Sequence, residues 1–194
     1  MKNGKKQRVL RVLDSEEMKT VMSLDNIFHR AIMLLLYHTG LRVSELVSLS
    51  INDVMYSDAT FKNQLTVTGK GNKQRTIPLS QKAKENLFVL IEDSKGKLKK
   101  LFNQDSPLIV TQKRTRMTRE WVSKIIKKFR EDNKIELQLT PHVFRHQFAT
   151  SLIKRGANMK TVQTLLGHSS IAITLDTYTH TTNEDMRKAV SLLD

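Results

Sequence analysis

The chain has 194 residues, 39% of them hydrophobic, enough to bury the core of one compact domain. Its 33 Lys and Arg outweigh 19 Asp and Glu, giving a formal net charge of +14; a polyanion such as nucleic acid is therefore the first partner to consider, against the plainer alternative of a soluble basic surface. The absence of cysteine excludes a disulfide framework, a thiol nucleophile and thiolate metal sites, and the most apolar stretch, Ala31 to Tyr37, is too short to span a bilayer. A soluble cytoplasmic protein with no membrane partner is expected.

In chain order, residues 1–13 form a basic tail, with Lys2, Lys5, Lys6, Arg8 and Arg11 preceding any acid. Asp14 followed three residues later by Glu17 predicts a capping box, and Ile27, Ala31, Leu34 and Leu35 repeat at helical spacing up to Gly40. A short helix follows near Ser44 to Leu49. The pattern then changes: residues 64–68 (QLTVT) and 74–78 (QRTIP) favour strands around Gly69-Lys70-Gly71-Asn72, which predicts a β-hairpin with a basic tip.

Helical pattern resumes after Ser80 towards Lys100, with Gly96 a candidate break. A further helix near Thr118 is expected to bury Trp121, Ile125 and Phe129, leaving Lys124, Lys127, Lys128 and Arg130 elsewhere on its surface. Thr140 and Pro141 start a helix that Gly156 stops, placing His142 and Arg145 together in its first turn. Asn158 caps a short helix ending at Gly167, which leaves His168 in a turn, and Asn183 caps a final amphipathic helix. The expected fold class is α+β, mainly α-helical with a small antiparallel hairpin. Residues 14–182 would form one domain and residues 183–194 a C-terminal helix.

Cleavage of a phosphodiester needs cationic donors around the phosphate oxygens, a nucleophile and an acid for the departing oxygen. Arg42, Lys70, His142, Arg145, His168 and Tyr178 supply these groups near turns or helix ends. Each has a plain reading alone: Arg42 pairing with Glu45, Lys70 solvated at a hairpin tip, the histidines structural, Tyr178 half-buried. Their joint order carries the signal. The segments read TGLRVSEL (39–46), GKGNKQRTIPL (69–79), TPHVFRHQFAT (140–150), LLGHSS (165–170) and TLDTYTH (174–180). Over nearly the whole chain they resemble the catalytic domain of the tyrosine recombinase family, which includes phage integrases, chromosome-dimer resolvases and transposon integrases.

The resemblance implies a site-specific DNA recombinase that cleaves and rejoins DNA through a 3′-phosphotyrosyl intermediate, without metal, ATP or other cofactor. It makes Arg42 and Arg145 the pair that grips the scissile phosphate, Lys70 the proton donor to the leaving 5′ oxygen, His142 a general acid/base, His168 a hydrogen-bond donor to the phosphate and Tyr178 the nucleophile. Glu45 resembles the family acid that orients the first arginine. Lys73, Arg75, Lys124, Lys127, Lys128 and His146 are expected to contact DNA. His142 and His146 stand four apart, a zinc-compatible spacing, but HVFRH lacks the glutamate of HExxH and its arginine would repel a cation, so no metal site is expected.

Double-stranded DNA, a tetramer assembled on it, and a nucleoid-associated cytoplasmic location follow from the same resemblance, which also implies that the helix of residues 183–194 docks on a neighbouring copy, against the plainer alternative that it folds back on its own domain. Most family members carry an N-terminal helical domain that closes a clamp around DNA. Here the catalytic pattern starts almost at once, as expected of an excised fragment or of a single-domain member. The alternatives are a type IB topoisomerase and a catalytically silent DNA-binding regulator; occupation of all six positions favours an active enzyme.

Overall fold

The computed structural model describes residues 11–69 and 74–167. Eight α-helices, a short 3-10 helix (Lys99–Leu101) and one two-stranded antiparallel sheet lie in this range: α1 (Ser15–Met22), α2 (Ile27–Thr39), α3 (Val43–Ser48), α4 (Ile51–Val54), β1 (Gln64–Thr68), β2 (Gln74–Pro78), α5 (Gln81–Leu98), α6 (Arg119–Asp132), α7 (Pro141–Lys154) and α8 (Met159–Leu166). The mainly helical class with a small hairpin is as expected. The basic tail before Arg11, the hairpin tip with Lys70 and Lys73, and everything from His168 onward, including Tyr178 and the expected last helix, lie outside the described residues.

Local chemistry sets the element ends. Asp14 accepts from the backbone N–H of Glu16 and Glu17 while Glu17 accepts from the Asp14 N–H, closing the capping box. The helical pattern expected to run on to Gly40 is interrupted after Met22. Asn26 restarts it by accepting from the His29 N–H at 2.9 Å. Gly96 does not break α5, which continues to Leu98. The four-residue α4, unforeseen, is closed by Asp53, which accepts from the Ser50 N–H at 2.8 Å. At the start of α7, Pro141 occupies the first helical position, where its missing N–H costs nothing, although the Thr140 side chain makes no cap bond.

The core is organised around α2, which packs against both α5 and α7. Ala31, Ile32, Met33, Leu35 and Leu36 are almost wholly buried, and Leu87, Leu90 and Phe144 pack into the same cluster. The hairpin adds Leu65, Val67 and Ile77 from its inner face; Leu65 pairs with Ile77 and Val67 with Arg75. A second cluster of Phe148, Ala149, Val162 and Leu166 fastens α8 to α7. In α6 the buried residues are Val122, Ile125, Ile126 and Phe129, whereas Trp121, expected inside, is 51% exposed.

Two features fix the loops that approach α3. Gly40 ends α2 at φ +62°, a left-handed conformation that side chains rarely adopt, and a Cβ there would lie 2.4 Å from Cδ1 of Phe148. Arg116 Nη1 shares its two hydrogens among the carbonyls of Val47, Ser48 and Leu49, all 2.7–2.9 Å away, and Nη2 donates to Ser50 Oγ; the Leu49 carbonyl also accepts from the Leu108 N–H at 2.9 Å. No described helix is long and apolar enough to cross a membrane.

Candidate functional site

The left-handed turn at Gly40 delivers Arg42 to the N-terminus of α3, where it is the capping residue. Glu45, one turn on and with its side chain only 4% exposed, accepts from the Arg42 backbone N–H through Oε2 at 2.7 Å and from Arg42 Nη1 through Oε1 at 2.9 Å. Burial alone would raise the Glu45 pKa. The hydrogen bonds from Arg75 and Arg42 outweigh that cost and hold its carboxyl below the usual carboxylate range.

Arg145 reaches the same region from α7. Its side chain is buried; Nη1 donates to the carbonyl of Gly40 at 2.6 Å and Nη2 to the carbonyl of Leu166. One guanidinium thus bridges the C-terminal ends of α2 and α8, whose carbonyls carry the negative ends of the helix dipoles.

Arg42, His142, Arg145 and Arg119 line one small cavity of about 170 Å³, together with Leu41, Val43, Ser44 and Pro141. His142 is exposed at the N-terminal turn of α7, so the positive end of a 14-residue helix also faces this space. Three guanidiniums around one cavity make it electropositive, and planar forks of this kind are suited to the oxygens of an anion such as a phosphoryl group. The structure brings together three of the six expected catalytic positions, Arg42, His142 and Arg145, with Glu45 behind them. Lys70, His168 and Tyr178 belong to undescribed segments that begin directly after Thr68-Gly69 and Gly167 or lie beyond them.

Arg75, expected among the DNA contacts, is turned inward instead. Its side chain is 7% exposed, with Nη1 and Nη2 donating to the two Glu45 oxygens at 2.6 and 2.7 Å and Nε to the carbonyl of Leu165 at 2.8 Å. The reason is strand alternation: Arg75 shares the inner face of β2 with Ile77. Lys124, Lys127 and Lys128 are exposed on α6, the latter two within 3.8 and 3.1 Å of Glu131 and Asp132. His146 is half-buried on α7.

Arg119 is the cavity residue that the sequence did not single out. It opens α6, is largely exposed, and has only a 3.9 Å approach to Glu120 as an ion pair. No sequence motif marks it, because its place beside Arg42 and Arg145 is created by the packing of α6 near α3 and α7. Among the described residues no cluster of three or more His, Cys, Asp or Glu is arranged to hold a metal ion.

The sequence model of the phage integrase family matches residues 11–185. Tyrosine recombinase XerD of Oceanobacillus iheyensis is 38% identical over 171 residues, covering 88% of this chain and 55% of the relative. Tyrosine recombinase XerA of Pyrococcus furiosus is 37% identical over 186 residues, 92% of this chain and 60% of the relative. The chain therefore spans somewhat more than half the length of these relatives. The crystal structure of XerA recombinase superposes with a TM-score of 0.75 at 28% identity, covering 94% of this chain and 64% of that one. The Tn1549 transposon integrase, solved in complex with transposon right end DNA, shares the fold with a TM-score of 0.71 at 22% identity, covering 98% and 67%.

Proposed function

Because the chain belongs to the phage integrase family, we propose that it is the catalytic domain of a site-specific recombinase acting on double-stranded DNA. The observation that carries this reading is the meeting of Arg42 and Arg145, distant in sequence, at one cavity with His142. Two guanidiniums there hold the nonbridging oxygens of the scissile phosphate and stabilise the negative charge that builds up as phosphorus becomes five-coordinate.

In this reading the Tyr178 phenolic oxygen attacks phosphorus while the bond to the 5′ oxygen breaks. The phenolic proton passes to His142, and Lys70 supplies a proton to the departing 5′ oxygen. His168 donates a hydrogen bond to the phosphate. The product is a 3′-phosphotyrosyl bond and a free 5′ hydroxyl. A 5′ hydroxyl from a partner strand reverses the step, so the phosphodiester linkage is conserved without ATP or a metal ion. Assembly of a tetramer on DNA, and a nucleoid-associated place in the cell, belong to the same proposal. The named relatives are recombinases and an integrase, which favours strand exchange over simple relaxation of supercoils.

The test uses the full chain and a library of nicked duplexes with randomised sequence, in which loss of a short fragment traps the cleaved strand. Wild type is expected to give a denaturant-stable protein–DNA adduct whose trapped sequences define the site, and Tyr178→Phe none while still binding that DNA. Equal trapping by the Phe variant would overturn the nucleophile assignment.

A further inference from the structure

Arg75 stands where three segments of the site meet. It projects from β2, pairs with Glu45 of α3 through both terminal nitrogens, and reaches the carbonyl of Leu165 near the end of α8 through Nε. Every nitrogen of the guanidinium is engaged. The fit is close: a Cβ added to Gly167 would lie 2.8 Å from Cδ of Arg75, and Gly167 itself sits at φ +62°. The last turn of α8 therefore closes directly onto the arginine stem.

The arrangement at Glu45 has a chemical consequence for Arg42. Oε1 accepts from Arg42 Nη1 and from Arg75 Nη1; Oε2 accepts from the Arg42 backbone and from Arg75 Nη2. Arg42 consequently touches the carboxylate with a single side-chain nitrogen, although a free arginine–carboxylate pair favours a two-pronged contact. The second prong is already taken by Arg75. An unshared Glu45 would draw Arg42 into that two-pronged pair and compete with any phosphate for its donors.

We propose that Arg75 is a positioning residue for phosphate binding: by occupying Glu45 it keeps the Arg42 guanidinium available to the cavity, and through Leu165 it locks the hairpin, α3 and α8 into one unit. This rests on the reading of Arg42 as a phosphate ligand. Lysine cannot replace it, because one ammonium cannot span both carboxylate oxygens and a carbonyl in fixed planar geometry. The net charge of the Arg42–Glu45–Arg75 triad also stays positive beside the cavity, where a lone Glu45 would repel an anion.

The experiment compares single-turnover cleavage of the trapped site, made with either an ordinary scissile phosphodiester or a neutral methylphosphonate at that position. A methylphosphonate has lost one charged oxygen and so needs less from Arg42. Arg42→Ala is expected to cleave the phosphodiester about 10²-fold more slowly than wild type and to recover most of that loss on the methylphosphonate. Arg75→Met is expected to show the same pattern, and Arg75→Lys a smaller loss with the same recovery. Circular dichroism checks folding; if Arg75→Met is unfolded, the comparison rests on Arg75→Lys alone. Recovery of the Arg42 variant but not of the Arg75 variants would make Arg75 a purely structural strut and overturn the inference, as would wild-type rates for Arg75→Lys on both substrates. Failure of Arg42→Ala itself to recover would instead overturn the phosphate-ligand reading and this inference with it.

Discussion

Arg145 donates from Nη1 to the carbonyl of Gly40 at 2.6 Å, so an arginine of α7 caps the helix whose end delivers Arg42. Its other terminal nitrogen serves Leu166 at the end of α8. The two arginines expected to share a phosphate are thus connected through backbone before any substrate arrives, and little reorganisation is left to the moment of reaction. Arg145→Lys keeps the charge but cannot reach two carbonyls at once. It is expected to lower stability by about 1–3 kcal/mol, through a buried carbonyl left without its donor, and to slow adduct formation by about 10²-fold. Urea unfolding and single-turnover trapping measure the two effects; wild-type values for both would show that charge alone matters here.

Gly40 provides a second test of the same junction. An alanine at φ +62° incurs roughly 1–2 kcal/mol of backbone strain, and its methyl would overlap the Phe148 ring. Gly40→Ala is expected to destabilise the fold by about 2–4 kcal/mol in urea unfolding. In the double variant Gly40→Ala, Phe148→Leu, the removed ring should return part of that loss relative to Phe148→Leu alone. Strict additivity of the two substitutions would mean that the ring is not what Gly40 makes room for.

The buried Glu45 carboxylate gives a pH signature. Burial opposes its charge, but the Arg75 and Arg42 hydrogen bonds leave its folded pKa below the ordinary value of 4.5. The stabilisation is fully present above that value. It is lost as pH falls towards the folded pKa, because there the unfolded chain takes up the proton more readily. Glu45→Gln removes this titration and leaves Arg75 buried without its counter-charge, which costs about 3–5 kcal/mol at neutral pH. The stability gap between wild type and Glu45→Gln should therefore narrow between about pH 5 and pH 3. His29 and His38, whose pKa values burial lowers, also reduce stability in acid, but equally in both proteins. A gap that stays constant or widens in acid would contradict the assignment.

What the sequence made legible was whatever local chemistry specifies. The Asp14–Glu17 box, both hairpin strands and the α8 end at Gly167 each depend on residues within a few positions, and they stand where expected. Trp121 was misplaced because a row of residues four apart winds round the helix by about 40° per step, so a wide row can start outside the buried arc that Val122, Ile125, Ile126 and Phe129 define. Arg75 was legible in principle: alternation with Ile77 put it on the inner face, but a charge beside a basic hairpin tip reads more readily as surface. Arg119 was not legible, since only tertiary packing brings the start of α6 to the cavity. In the same way, sequence paired Arg42 with Glu45 but could not show that a second arginine shares that carboxylate.

Arg119 and the α6 lysines offer the last test, one of which cations meet phosphate. Arg119, Ser123 and Lys127 form one row at four-residue spacing, rising about 12 Å along the helix from the cavity. Lys124 and Lys128 belong to the adjoining row, turned about 100° round the helix, and Lys128 is held 3.1 Å from Asp132, closer than the 3.8 Å between Lys127 and Glu131. DNA held at the cavity should therefore run along the Arg119–Lys127 row and leave the other two lysines in solvent. Each lost phosphate contact reduces the slope of log K against log salt by about 0.9. Arg119→Ala and Lys127→Ala are each expected to flatten the slope by about that amount, and Lys124→Ala and Lys128→Ala to leave it nearly unchanged. Arg119 differs from Lys127 in lining the cavity itself, so its removal should also slow cleavage at saturating DNA, whereas Lys127→Ala should weaken binding alone. Titrations at several salt concentrations measure the slopes, and single-turnover trapping at saturation measures the rates. Flattening by Lys124→Ala and Lys128→Ala with none from Arg119→Ala would place the DNA along the Lys124–Lys128 row of α6 and remove Arg119 from the site.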